Sequence, residues 1–198
     1  MKLPILIALA GVAAVFCFRS PDAACDYTDA AGRMARQSEH AMVLFERGHL
    51  AEAKTAFRVA RVECAQLLGS RDPATLSCRC NYAAVLYAMR DYAGAEAAQR
   101  TALALREDVL GRLAPDALDS LHNLAVMLLS EGKLEEALRD ARRVEAGRRR
   151  MFGTNHPKSQ EAARLKEFIE GAVEKRDRRN ETPHGGPSGL GESTVGVS

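Results

Sequence analysis

The middle of the chain repeats its own pattern of apolar and polar positions. Asn81, Ala83, Leu86, Ala95, Ala102, Arg106 and Leu110 step forward by 42 residues onto Asn123, Ala125, Leu128, Ala137, Val144, Arg148 and Phe152. The same step backward reaches Glu39, Ala41, Leu44, Ala53, Ala60, Cys64 and Leu68. Pro73, Pro115 and Pro157 share the spacing, and Gly69, Gly111 and Gly153 lie four residues before them. Several independent matches at one period of this length indicate a repeat architecture.

Each unit reads as two helices. The proline opens the first, where its missing N–H removes no intrahelical bond and its fixed φ suits the helix. In the second unit this predicts helices over about 73–89 and 92–110, with Gly111 as a left-handed stop. Gly48 and Gly132 predict the turns within the first and third units. Ala83 and Ala95, repeated at Ala125 and Ala137, are the expected crossing points, because two helices approach closely only where the facing side chains are small. The expected fold is an all-α helical-hairpin solenoid, about three hairpins plus a C-terminal capping helix. That last helix runs from Pro157 to about Glu174, its Ala162, Leu165, Phe168, Ile169 and Val173 covering the third hairpin.

The second unit reads DPATLSCRCNYAAVLYAMRDYAGAEAAQRTALALREDVLG and the third APDALDSLHNLAVMLLSEGKLEEAL. With the proline-led starts, the Asn-Leu-Ala core, the glycine turn, Glu-Ala and the closing Leu-Gly, the chain resembles tetratricopeptide repeats of the longer, kinesin-light-chain-like kind. Residues 31–70 make a degenerate first unit, with no leading proline and Glu39 in place of asparagine. The resemblance implies an all-α solenoid that binds proteins or peptides and performs no catalysis. It specifies the fold more than the partner, since one fold serves many functions.

Composition agrees with closely packed helices. Aromatics are 5% and tryptophan is absent, which disfavours a sheet. A formal net charge of +2 gives no electrostatic footprint for nucleic acid. Three segments are expected: 1–24, the repeat domain 25–176, and a tail 177–198 rich in Gly, Pro, Ser and Thr that lacks the apolar surface to fold. Met1 and Lys2 precede an apolar run over 5–18, so residues 1–24 read as a signal peptide or, if uncleaved, an N-terminal membrane anchor. Either reading places the repeats in a secreted, extracytoplasmic or membrane-anchored protein.

No arrangement of a nucleophile with its base, metal ligands or a phosphate loop is present in the sequence, so no cofactor or metal is expected. Cys78 and Cys80, two apart on a helix, point in different directions. His122 reads as one member of a helix face with no nearby acidic partner. Arg148, Arg149 and Arg150, with Glu135–Arg139 and Glu145–Arg149 at four-residue spacing, read as a solvated helix face.

Two binding features remain. Cys64 ends one unit and Cys78 starts the next, so the stacking of units brings them together as a disulfide or as two buried thiols. In repeats of the kind resembled, the first helices line the concave groove. This implies a partner-binding face carrying Ser77, Cys80, Asn81, Ala84, Tyr87 and Ala88 from the second unit. The third unit adds Asp119, His122, Asn123, Val126, Leu129 and Ser130, and the first adds Ser38, Glu39, Met42, Phe45 and Glu46. Asn81 and Asn123 stand out, because an amide can both donate to and accept from a peptide backbone.

Overall fold

The structure, a computed structural model, describes residues 29–181. Among them the chain forms seven helices and no strand: α1 (Asp29–Glu46), α2 (Leu50–Leu67), α3 (Pro73–Ala88), α4 (Tyr92–Leu110), α5 (Pro115–Ser130), α6 (Leu134–Phe152) and α7 (Pro157–Glu181). Each helix packs on the next, giving three hairpins and a closing helix. The segment 1–24 and residues 182–198 of the expected tail lie outside the described residues. Among those described, no helix is long and apolar enough to cross a membrane.

Local chemistry sets the boundaries. Pro73 and Pro115 occupy the first turn of their helices. The Asp72 carboxylate accepts the Ala74 N–H at 2.8 Å, and Asp91 accepts that of Gly94 at 3.0 Å, satisfying donors the helix leaves free. Gly48 and Gly132 turn the first and third hairpins with φ of 79° and 77°. In the second hairpin that place falls to Arg90, at φ 64°. A side chain in this left-handed region costs about 1–2 kcal/mol, so the hairpin closure outweighs a local penalty that glycine avoids in the other two.

The expected crossings are present. Ala83 and Ala95 are fully buried in one cluster, Ala125 and Ala137 in another, and Ala41 and Ala53 in a third. A second close approach was not anticipated. A Cβ on Gly147 would stand 2.8 Å from Leu118 Cδ2, so α5 and α6 meet there only because the side chain is missing.

Two expectations at the C-terminal end are corrected. The last helix reaches Glu181 rather than about Glu174, so residues 177–181 continue the helix. Arg176 there pairs with Glu135 of α6, and Arg139, expected on Glu135, pairs with Glu136 instead. Ala162 and Ile169 bury themselves in the third hairpin's cluster, with Leu165 and Val173 packed alongside. Phe168 does not join them and stands 52% exposed.

Candidate functional site

Successive hairpins are joined by a buried arginine. Arg106 of α4 donates to Asp116 O at 3.1 Å, Ser120 Oγ at 2.7 Å and Ser77 Oγ at 3.2 Å, tying α4 to its own first helix and to that of the next unit. Forty-two residues on, Arg148 donates to Lys158 O at 3.1 Å, Asp119 Oδ1 at 2.7 Å and Glu161 Oε2 at 3.1 Å. Arg148 is among the largest fully buried side chains, which corrects its reading as part of a solvated face. Arg149 does remain exposed and pairs with Glu145 at 3.1 Å.

The first joint is built differently. Cys64 stands at the Arg106 position and Cys78 at that of Ser120, and their sulfurs are 3.8 Å apart in a buried cluster with Met34 and Ala60. Ser38 Oγ of α1 lies 3.3 Å from Cys78 Sγ. Stacking therefore brings the two cysteines together, here as free thiols.

The first helices α1, α3, α5 and α7 touch through side chains. Cys80 Sγ lies 3.6 Å from Ser120 Oγ, and Tyr87 Oη 2.6 Å from Ser130 Oγ, so both residues fill the seam between α3 and α5. His122 is buried in the next seam, its Nε2 3.7 Å from Glu161 Oε1 of α7, which corrects the expectation that it has no acidic neighbour. Asp119, three residues earlier in its own helix, is a second, and its charge opposes the fall in pKa. Burial, reinforced by the charge of Arg148, lowers its pKa to about 4 and leaves the ring neutral at pH 7. Leu129 packs against the third hairpin's core. These four help join the helices.

Two rows remain, with one residue from each first helix at the 42-residue step. One is Glu39, Asn81, Asn123 and Leu165; the other is Met42, Ala84, Val126 and Phe168. Exposure varies along them: Glu39 is open, Asn81 half-buried and Asn123 7% exposed. No other described residue holds either amide by a hydrogen bond. Phe168 completes the second row, and its place in the register was legible from the same period. Its apolar character alone predicts a place in the core. Among the described residues, no group of His, Cys, Asp and Glu could hold a metal ion.

Residues 77–150 match the tetratricopeptide repeat family. No curated protein matches the chain. Solved structures do: nearly identical TPR-like repeats assigned to a kinesin light chain of Podosopora anserina align over 78% of this chain and 79% of theirs, at 21% identity and a TM-score of 0.63. A single-substitution form of that protein aligns over 79% and 82%, at 22% identity and a TM-score of 0.62. BtubC (BKLC) from P. vanneervenii aligns over 88% of this chain and 75% of its own, at 19% identity and a TM-score of 0.62. Tetratricopeptide repeats generally mediate protein–protein interaction, on a scaffold that is typically non-catalytic.

Proposed function

Because residues 77–150 match the tetratricopeptide repeat family and the fold is similar to that of kinesin-light-chain-like repeats, we propose that the chain is a non-catalytic adaptor that holds an extended peptide segment of a partner across its first-helix face. The observation that carries this reading is the pair of amides, Asn81 and Asn123, at equivalent places in adjacent units and unbonded to other described residues. An amide left without a partner inside a helix pair is available to a backbone N–H and C=O from outside. Beside it, Val126 and Phe168 offer apolar contact, and Glu39 at the first unit favours a basic residue at that end of the ligand.

The test uses a partner captured by the full chain and the double variant Asn81→Ala, Asn123→Ala. Losing one neutral hydrogen bond at each site should cost about 2 kcal/mol, close to 30-fold in Kd, with Tm unchanged. Unchanged affinity with a lowered Tm would assign the amides to the fold instead.

A second reading, a structural subunit packed through its flank into a membrane-associated complex, is favoured by one other observation. Among the described residues, six of the nine exposed large hydrophobics, Leu67, Val109, Leu110, Leu113, Met151 and Phe152, lie where the second helices end. Concentrated exposed apolar surface marks interaction sites. Under this reading Leu67→Ser with Met151→Ser releases the partner, and the asparagine pair does not.

A further inference from the structure

At two of the three joints a buried guanidinium hydrogen-bonds across to the next unit; at the first, where Arg61 only stacks on the Tyr82 ring, two thiols occupy the corresponding places. We propose that Cys64 and Cys78 are a redox-closable staple, which thiol–disulfide exchange converts into a covalent joint fixing the first hairpin to the second.

The geometry supports each requirement. The sulfurs are 3.8 Å apart, so closure to the about 2.0 Å of a disulfide needs under 2 Å of movement. The remaining described cysteine, Cys80, is turned toward Ser120 in a different seam, so it does not compete. The thiols differ in character. Cys64 and Ser38 can both donate to the Cys78 sulfur, which favours its thiolate, whereas the Cys64 thiol is pushed up by that same hydrogen bond and by burial. Cys78 is therefore the attacking sulfur.

The co-reactant is a disulfide donor, either a small-molecule disulfide such as oxidised glutathione or a protein dithiol oxidant. The Cys78 thiolate attacks one donor sulfur, breaking the donor S–S bond and releasing a thiolate. That thiolate takes the Cys64 proton. Cys64 then attacks the Cys78 sulfur of the mixed disulfide and expels the second donor thiolate, which is protonated by solvent with the proton Cys78 gave up. Two protein thiols are oxidised and one donor disulfide is reduced to two thiols. Both sulfurs are buried, so the first attack requires the joint to open. The first hairpin sits at the end of the described array, where a repeat protein opens most readily. Once closed, the bond fixes the end of the binding face that carries Glu39 and Met42.

The full chain is equilibrated with excess oxidised glutathione, alkylated, digested and mapped by mass. A Cys64–Cys78 linked peptide is expected, with a Tm raised by about 5 °C or more and restored by dithiothreitol. Cys78→Ser, which places at this joint the residue found at the next, should lose both responses. Cys64→Arg with Cys78→Ser installs the residue types of the second joint and should melt identically in either redox buffer. Any one of three results overturns the proposal: both thiols still alkylatable at equilibrium, a bridge to Cys17, Cys25 or Cys80, or a bridge that leaves the Tm unchanged.

Discussion

His122 is an imidazole that the fold keeps from protonating. It is buried beside Arg148, and its pKa falls from 6.5 to about 4. Below pH 6.5 the unfolded chain takes up a proton that the folded chain refuses, so stability declines as pH falls from 6.5 to about 4 and levels below that. The decline amounts to about 3 kcal/mol at 1.36 kcal/mol per unit. Urea unfolding at pH 7 and pH 4 should show it in the natural protein, and His122→Gln should lose less by that amount. An equal decline in both would mean that the ring is protonated in the folded state. Neither this burial nor that of Arg148 could be read from the residues alone. Arg148, Arg149 and Arg150 are adjacent and chemically identical, and the buried one is set by α7 arriving with Lys158 O and Glu161. The repeat offered a clue, since Arg106 lies at the same register and only Arg148 of the three matches it.

At the scale of helices, the period was enough. Proline starts, glycine stops and alanine crossings are short-range features with fixed geometric consequences, so hairpin number and pairing followed from them. Arg90 escaped notice because its turn is imposed by the hairpin and contradicts the preference of its own side chain. The placement of Phe168 required the helix phase to be known to within one residue. Its neighbour Ile169 is fully buried, whereas Phe168 is 52% exposed. Ile169→Ala should therefore cost about 2–4 kcal/mol by loss of contacts and formation of a cavity. Phe168→Ala should change stability by under about 0.5 kcal/mol while weakening a groove-bound partner. Chemical denaturation of the two variants separates them, and equal losses would place Phe168 in the core.

For the whole molecule, stability is close to a sum of hairpin and joint terms. The third hairpin is packed on both sides and joined to α7 by Arg148, with Lys158 on Asp119 at 2.9 Å. The first hairpin, in the reduced protein, rests on a joint with no buried, hydrogen-bonded arginine; there Arg61 of α2 only stacks on the Tyr82 ring of α3, 5.0 Å from its centroid. Hydrogen exchange should therefore be fastest in α1 and α2 and slowest in α5 and α6; the reverse order would show that the joints do not govern opening. The arginine joint has one more consequence, which concerns the length of the chain. Two partners of Arg106, Ser77 Oγ and Asp116 O, correspond by the 42-residue step to Asp119 Oδ1 and Lys158 O of Arg148. Excision of residues 115–156 would set Arg106 against the helix led by Pro157, where Lys158 O stands in for Asp116 O and Ser77 still serves from behind. The third partner, Ser120, has Ala162 at its place, but Glu161 beside it supplies the acceptor that Arg148 already uses. The protein can therefore be shortened by a whole link, as a chain of near-identical couplings can, with one fastening exchanged.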